Sequence, residues 1–416
     1  MKVLLIDVYH YNKGGAETVC FNTGKMLKDN GHEVVYFTLK WKKNLPSPQE
    51  KYFPESKETR RGILRQIINL RNYFYYPDAA KKLEKLLLDE KPDIAHIHLM
   101  WGQLSPSIFP VLKKYKIPII FTMHDYRIVC PGYLFKNGKD EICEKCNGRK
   151  FYQCFLNKCA KGKYSLSFFM ALEQYFRNFF FNPSKYINGI LYVSHFSQRK
   201  HEQYMPKLRN ILNIVMHNFS LSIEDEVKGV GKEKYFLFLG RLSKEKGIET
   251  LVKAFEKCPN SKLIVAGTGP LENKLLKYKS INNIENIDFV GYKSGDELER
   301  LKKYAYFIIV PSECYENNPM AIIEGYSKGV PSIGANIGGI PEIILQNKTG
   351  FVFEMGSADN LAIVINKANN LSEKEYQEMR INSIEYALED MSSKSYYRKL
   401  IPFYNRVIEE VKNHKK

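Results

Sequence analysis

Two cations and two glutamates in the second half of the chain stand where predicted strands give way to predicted helices. Arg241 and Lys246 belong to the segment Gly-Arg-Leu-Ser-Lys-Glu-Lys-Gly at residues 240–247. Cations fixed beside the unpaired N–H groups of a helix N-terminus are suited to a diphosphate. An ordinary basic loop has the same composition, so this segment alone leaves both interpretations open.

Glu316 and Glu324 have seven residues between them, which places the first in a predicted loop and the second inside the helix that follows. Carboxylates in these two positions can accept hydrogen bonds from hydroxyls at two ends of one ligand. Either glutamate alone is more simply explained as solvated. Gly267 and Gly269 follow another predicted strand directly, where glycine lets the backbone approach a ligand.

The first half of the chain has a glycine pair and a histidine at comparable positions. Gly14 and Gly15 follow the first predicted strand and open a helix, so their backbone N–H groups can receive phosphate or acceptor oxygens. His124 comes directly after another predicted strand and precedes Asp125 and Tyr126. A lone histidine is more often structural than catalytic, and its position at a strand end is what makes it a candidate.

These positions need a scaffold that gathers the ends of several strands. Short apolar segments alternate with amphipathic helical segments, and the alternation restarts at Lys234. Such alternation predicts parallel sheets covered by helices, with ligands at the carboxyl ends of the strands. The length of 416 residues favours two domains. We predict doubly wound domains at residues 1–216 and 217–391, a site in the cleft between them, and a helical segment at 392–416 that packs back on the first domain.

Four motifs occur in order along the second half: Gly-Arg-Leu-Ser-x-Glu-Lys-Gly, Ala-Gly-Thr-Gly-Pro, Pro-Ser-x-x-x-Glu with a second glutamate eight positions on, and Lys-Gly-Val-Pro. Together they resemble the family 4 retaining glycosyltransferases of the GT-B fold. The resemblance covers almost the whole chain. It implies an α/β protein with two Rossmann-like domains facing across a cleft. It also implies transfer of a hexose from a nucleotide sugar, with a UDP-sugar as the first expectation and GDP-sugars as the alternative.

The resemblance assigns roles to individual residues. Arg241 and Lys246 would bind the donor diphosphate and stabilise the leaving nucleotide, with no catalytic metal and no cofactor. Glu324 would hold the ribose hydroxyls, Glu316 would bind the transferred hexose, and His124 would orient the acceptor or the sugar. The other donor-binding residues would be Gly14, Gly15, Gly267, Gly269, Tyr292, Asn317 and Asn318. The acceptor would be a glycan or a lipid-linked saccharide in surface polysaccharide synthesis.

The positive charge is concentrated in the first half of the chain. Of the formal net charge of +18, residues 1–216 contribute 35 Lys and Arg against 18 Asp and Glu. This half is therefore expected to attract polyanions or an anionic membrane. No helix-turn-helix, zinc-finger or single-strand-binding signature accompanies it, so we do not expect nucleic acid as a partner.

Two segments bear on membrane binding. Residues 60–76 have apolar side chains at helical spacing interleaved with arginines, which predicts a helix lying on an anionic bilayer. These residues are Ile63, Ile67, Leu70 and Phe74 with Arg61, Arg65 and Arg71. Residues 168–181 would either do the same or pack within the domain. Because the sequence shows no signal-like segment and no membrane-spanning stretch, we predict a cytoplasmic protein on the inner face of the membrane.

An insertion at about residues 130–183 carries cysteines in the pattern Cys-x2-Cys-x7-Cys-x4-Cys. They are Cys143, Cys146, Cys154 and Cys159. Stable disulfides are disfavoured in the cytoplasm, so the sequence leaves open a structural zinc site or reduced thiols. In either case the cysteines are expected to be structural.

Other functions remain to be weighed against glycosyl transfer. A sugar-nucleotide epimerase or a glycosyl phosphorylase would share the fold, a basic nucleic-acid-binding protein would share the charge, and a catalytically silent relative would bind sugar without turnover. The paired glutamates together with Arg241 and Lys246 favour transfer.

Overall fold

The computed structural model describes residues 1–56, 63–224 and 234–413, with residues 63–68 described by their backbone alone. Its contacts divide the chain into two compact units. Unit 1 comprises Met1–Met216 together with Tyr397–Lys416, and unit 2 comprises His217–Tyr396. Each unit has a six-stranded sheet in which all neighbouring strands run parallel. The predicted α/β class is therefore confirmed.

The sheet of unit 1 has the strand order β2-β1-β3-β4-β5-β6. Its strands are β1 (Lys2–Ile6), β2 (Glu33–Phe37), β3 (Ile94–Ile97), β4 (Ile119–Met123), β5 (Gly189–Tyr192) and β6 (Leu212–Val215). The central strands are buried along their whole length because helices cover both faces of the sheet, as expected for parallel strands of Val, Ile and Leu. The helices are α1 (Gly15–Asp29), α2 (Ile63–Phe74), α3 (Pro77–Glu90), α4 (Ile108–Lys114), α5 (Tyr152–Leu156), α6 (Tyr164–Phe180) and α7 (His195–Tyr204).

The last helix, α15 (Ser393–Asn413), returns to the sheet of unit 1 over its greater part. Tyr404 is buried and its hydroxyl lies 2.6 Å from Nδ1 of His96 on β3. A side chain at Gly189 of β5 would collide with Val407 and Phe403, so glycine there lets α15 lie close against the strand.

Unit 2 repeats the pattern with the strand order β12-β11-β10-β7-β8-β9. Its strands are β7 (Tyr235–Leu239), β8 (Lys262–Ala266), β9 (Ile287–Gly291), β10 (Phe307–Val310), β11 (Ser332–Ala335) and β12 (Gly350–Phe353). Its helices are α8 (Ile248–Glu256), α9 (Glu272–Ile281), α10 (Gly295–Lys303), α11 (Met320–Tyr326), α12 (Ile340–Ile343), α13 (Ala358–Asn369) and α14 (Glu373–Asp390).

Each sheet has a point at which the strand order reverses, between β1 and β3 in unit 1 and between β7 and β10 in unit 2. Loops that leave the carboxyl ends of two such strands diverge to opposite faces and leave a crevice where ligands bind in open α/β sheets. The loops of interest are therefore those after β1, β3, β7 and β10. Within the described part of the chain, no helix is both long and apolar enough to cross a bilayer.

Candidate active site

The loops after β7 and β10 in unit 2 bring two of the predicted donor residues together. Lys246 Nζ lies 2.6 Å from Glu316 Oε1. The hydroxyl of Ser312 donates to the same carboxylate oxygen over 2.8 Å. The sequence motifs indicated Lys246 and Glu316 but not Ser312, although its place in the Pro-Ser-x-x-x-Glu motif marks it in retrospect.

The electrostatic environment of Lys246 and Glu316 keeps both side chains charged. Burial alone would raise the pKa of Glu316, but the charge of Lys246 and the hydrogen bonds from Lys246 and Ser312 bring that pKa below its usual value. Glu316 in turn raises the pKa of Lys246 against the opposing effect of burial. The site therefore holds an anionic Glu316 and a half-buried, cationic Lys246 at the switch point of the sheet.

Backbone contacts hold the two loops against each other. Gly247 has φ of 66°, and a Cβ atom there would lie 1.8 Å from the carbonyl oxygen of Pro311. No other residue fits a left-handed position at that distance from backbone. The N–H of Glu313 donates to Glu245 O over 2.9 Å, and the Thr250 hydroxyl donates to the Glu313 carboxylate over 2.6 Å. These contacts fix Lys246 relative to Glu316.

The predicted donor glycines after β8 lie against the same loop. Gly267 has φ of 150°, and a Cβ atom on it would lie 1.8 Å from Gly240 O. Gly269 approaches the backbone of Leu242 in the same way. Both glycines thus have a structural reason in the packing of the β7 and β8 loops, independent of any ligand.

The remaining predicted donor residues are distributed around these loops. Glu324 lies on α11, and one of its oxygens is 3.1 Å from Nζ of Lys302 on α10, a buried lysine that the motifs did not indicate. Arg241 is exposed, and within the described residues no hydrogen bond or ion pair reaches it. Tyr292 directly follows β9 and is largely exposed. The structure therefore pairs Lys246 with Glu316, while Glu324 has a different partner.

Asn317 and Asn318 are both buried. Asn318 is held by Asn218, whose backbone N–H donates to Oδ1 of Asn318 over 2.8 Å and whose side-chain amide donates to its carbonyl over 3.0 Å. Asn218 is far away in sequence and was not predicted. This double contact gives the loop that carries Glu316 a second anchor, separate from Lys246.

In unit 1, His124 follows β4 and belongs to a row of three neighbouring histidine rings. His98, after β3, lies 3.0 Å from His124 through Nδ1 and Nε2, and its ring stacks on that of His124. The ring of His96 packs against that of His98 at 4.2 Å with the planes tilted by 32°, and His96 Nε2 lies 2.6 Å from the Thr122 hydroxyl. His96 and His98 were not predicted, although His-Ile-His at a strand end is a visible signal.

These histidines are neutral at physiological pH. Burial lowers the pKa of His124 to about 3. Burial, followed by the charge of His124, lowers the pKa of His96 to about 3, and the pKa of His98 is also well below its usual value. A neutral imidazole offers one donor and one acceptor nitrogen, so His124 can orient a hydroxyl without adding charge.

Gly14 and Gly15 stand at the start of α1, exposed at the loop that follows β1. Asp7, directly after β1, is fully buried, and burial together with the nearby Glu17 raises its pKa well above the usual value. Asp7 was not among the predicted site residues. The loop that follows β1 therefore begins with a fully buried carboxyl group.

The cysteines of the insertion lie close to one another. Cys154 and Cys146 are buried, and the thiols of Cys143 and Cys154 both interact with that of Cys159 and lower its pKa. All four are free thiols. Among the described residues, no group of three or more His, Cys, Asp or Glu side chains is arranged to hold a metal ion. Zinc binding stays a prediction, which the zinc content of the purified protein tests.

The helix predicted to lie on a membrane is partly occupied by other contacts. Arg61 lies outside the described residues, as do the side chains of Ile63, Arg65 and Ile67. The ring of Phe74 packs edge-on against Phe169 and Phe176 of α6 at 5.3 and 5.1 Å. Phe74 is therefore engaged in packing within unit 1, whereas Leu70 is exposed.

Two family models match the chain. The model described as Glycosyltransferase Family 4 matches residues 13–207, and the model described as Glycosyl transferases group 1 matches residues 222–387. The chain belongs to glycosyltransferase family 4. It is thus a glycosyltransferase, as the resemblance implied, and the family match favours sugar transfer over an epimerase.

Similar proteins cover nearly the same length. An uncharacterized 42.6 kDa protein in the cps region of Klebsiella pneumoniae is 26% identical over 83% of this chain and 89% of its own. Sucrose-phosphate synthase from Thermosynechococcus elongatus has a TM-score of 0.71 at 16% identity, covering 98% of this chain and 99% of its own. HepE from Anabaena in complex with UDP-glucose has a TM-score of 0.65 at 16% identity, covering 99% and 100%. These likenesses confirm the predicted GT-B fold class.

Proposed function

We propose that this glycosyltransferase is a retaining enzyme that moves a hexose from a nucleotide sugar, with a UDP-sugar as the first expectation, to a glycan or lipid-linked saccharide. The observation that carries the proposal is the ion pair of Lys246 with Glu316 at the switch point of unit 2. A carboxylate held as an anion can accept hydrogen bonds from sugar hydroxyls. The exposed Arg241 five positions before Lys246 adds a second cation for a diphosphate.

In this mechanism the bond between the anomeric carbon and the diphosphate oxygen breaks, and the acceptor hydroxyl attacks from the face that the nucleotide leaves. The acceptor proton passes to an oxygen of the departing phosphate. Arg241 and Lys246 stabilise the negative charge that develops on the leaving group, which is the main source of catalysis in such sites. No divalent metal takes part in this proposal, so a chelator is expected to leave the rate unchanged.

Glu316 and Glu324 have separate tasks in the proposal. Glu316 binds the transferred hexose, because it lies beside the cation that receives the diphosphate. Glu324 binds the ribose with the carboxylate oxygen that Lys302 leaves available, its side chain being about a quarter exposed. Within unit 1, Gly14 and Gly15 at the N-terminus of α1 are suited to bind phosphate oxygens, and the neutral His124 is suited to bind a hydroxyl.

Two similar proteins support a UDP-sugar as donor and surface polysaccharide synthesis as the role. A neighbour of similar fold is described in complex with UDP-glucose, and a relative is named for its place in a cps region. A UDP-sugar and a role in surface polysaccharide synthesis are therefore our expectations for this chain, with binding to the inner face of a membrane where a lipid-linked acceptor would be found. GDP-sugars are the alternative donors.

The test is to incubate the purified protein with a panel of UDP- and GDP-sugars. Thermal stabilisation and donor hydrolysis identify the donor, and proton NMR of the product reports its anomeric configuration. Retention with one nucleotide sugar supports the proposal. Inversion at the anomeric carbon contradicts the mechanism, and an absence of both binding and hydrolysis across the panel contradicts the donor class.

A further inference from the structure

One side of α6 presents a row of apolar side chains to solvent. The row, which we call the aromatic ridge, consists of Tyr164, Phe168, Leu172, Tyr175 and Phe179. Successive members are three or four positions apart, so they lie on one face of the helix. Phe179 is 74% exposed and Phe168 56%. Exposing five large apolar side chains on one helix is unfavourable, because burying apolar surface lowers the free energy.

The rest of α6 is already engaged, so the helix cannot roll to bury the ridge. Gln174 donates its side-chain amide to Ile128 O over 2.6 Å, and Arg177 donates to Arg127 O over 2.9 Å. Phe169 and Phe176 pack against Phe74 of α2. The exposure of the ridge is therefore fixed by polar and apolar contacts on the other faces.

The neighbouring helix α5 widens the apolar surface. Tyr152 and Leu156 are exposed on it. Its Phe155 ring packs against Tyr164 and Phe168 of the ridge at 5.4 and 5.8 Å, and the Tyr152 N–H lies 3.3 Å from the Tyr175 hydroxyl. The ridge is thus the centre of a continuous apolar patch, and patches of this kind mark interaction surfaces.

The chain segments that directly flank the ridge are basic. Exposed cations precede and follow the ridge in the chain; they are Arg149, Lys150, Lys161, Lys163 and Lys185. The only acidic residue from 149 to 185 is Glu173, which is buried and paired with Arg177 at 3.1 Å. Nζ of Lys158 lies 4.3 Å from the centre of the Tyr164 ring, leaving its charge beside an aromatic surface.

We propose that the aromatic ridge docks unit 1 onto an anionic lipid bilayer, with α6 lying flat at the level of the headgroups. A helix of 17 residues is about 25 Å long, and its apolar face would enter the boundary between headgroups and acyl chains while the lysines meet anionic headgroups. Tyrosine and phenylalanine with flanking lysines suit that boundary. A second copy of the chain fits less well, because a self-complementary contact would set cations against cations.

This inference rests on the proposed membrane-linked acceptor and assigns the docking surface to α6 instead of α2. The decisive variant carries Phe168→Ser, Leu172→Ser and Phe179→Ser. All three side chains are exposed, so replacing them is expected to cost the fold little stability. The matched control carries Ile281→Ser and Ile363→Ser, two apolar side chains on α9 and α13 of unit 2 that are 67% and 65% exposed.

Binding is measured by co-sedimentation with vesicles of phosphatidylglycerol and phosphatidylcholine, and with vesicles of phosphatidylcholine alone. The ridge variant should lose roughly tenfold or more of its partition into the anionic vesicles, since three apolar groups that enter the bilayer are removed. The control should bind like the wild type. Lys161→Gln with Lys163→Gln should weaken binding to the anionic vesicles only. Equal melting temperatures of the variants check that the fold is intact.

Several outcomes would overturn the proposal: absence of vesicle binding by the wild type, equal binding by the ridge variant and the control, or a wild-type dimer that the ridge variant disperses in sedimentation equilibrium. Donor hydrolysis is measured separately without lipid. Hydrolysis preserved in a ridge variant that no longer binds vesicles supports the docking role. A wild type that binds vesicles through the ridge but never consumes a nucleotide sugar contradicts the proposed function alone.

Discussion

Glu316 is a carboxylate with only 15% of its side chain exposed, and its charge depends on its two partners. Removing a partner from a buried ion pair leaves an uncompensated charge, which costs more than the pair itself contributes. Lys246 and Ser312 therefore have a structural as well as a chemical role at the switch point. Experiments on this pair must separate the two.

Lys246→Ala is expected to lower the turnover of nucleotide sugar by roughly 100-fold or more, because it removes a cation aimed at the developing charge of the leaving group. Lys244→Ala is the matched control, since Lys244 is exposed two positions earlier in the same loop. Steady-state rates and melting temperatures are measured together. Wild-type turnover in Lys246→Ala would contradict the diphosphate role. If Lys246→Ala loses its melting transition, its low turnover reflects unfolding, and Lys246→Arg, which should keep the fold, is measured instead.

The row of three histidines predicts a pH dependence of stability. His96 and His124 have pKa values of about 3 in the folded protein against about 6.5 in an unfolded chain. The unfolded state binds more protons between these values, so their contribution to stability is present above pH about 6.5 and is lost as the pH falls toward 3. Urea unfolding between these limits should show a smaller loss for His96→Gln than for the wild type. Parallel losses would contradict the depressed pKa.

At the scale of elements, the sequence predicted what local patterns determine. Strand–helix alternation indicated both sheets, and the motifs indicated the loops after β7 and β10, because glycine, proline and charge at a strand end have local causes. The partners of those residues come from remote segments. Lys302 beside Glu324, Asn218 beside Asn318 and His98 beside His124 depend on which strands and helices become neighbours, and a single sequence does not specify that.

The packing of α2 against α6 could not be predicted from the sequence for the same reason. Helical spacing in residues 60–76 and 168–181 identified two amphipathic segments, but not which faces would meet each other. In the structure Phe74 of α2 packs on α6. The exposed face is found only after the packed faces have been assigned.

The junction between the β7 loop and α8 can be tested through its glycine. Gly247→Ala combines a left-handed conformation with a Cβ atom 1.8 Å from Pro311 O. Gly356 is the matched control, because its φ is 76° and a Cβ atom added there would meet no heavy atom within 4 Å. Gly356→Ala should cost about 1–2 kcal/mol of unfolding free energy from conformation alone, and Gly247→Ala clearly more, with weakened donor binding. Equal costs in urea unfolding would refute the close approach of the two loops.

At the scale of the whole molecule, unit 1 is built from two separate stretches of chain, since residues from Tyr397 onward belong with Met1–Met216. Within this unit, Tyr404 of α15 approaches β3, and Phe403 and Val407 of α15 approach β5. Unit 2 is continuous in sequence. The chain therefore closes unit 1 only after unit 2 has been synthesised, and the stability of unit 1 depends on its last helix.

Phe403→Ala tests this dependence. Phe403 is buried, and truncating a buried phenylalanine costs about 3–5 kcal/mol, which for a unit of this size lowers its melting temperature by on the order of 10 °C. Arg406→Ala, exposed on the same helix, is the control. Calorimetry should show a lowered transition for unit 1, while the transition that a bound UDP-sugar raises, assigned to unit 2, stays in place. Because the two units have separate cores, a Phe403→Ala variant that shifted only the nucleotide-dependent transition would mean that α15 supports unit 2 instead.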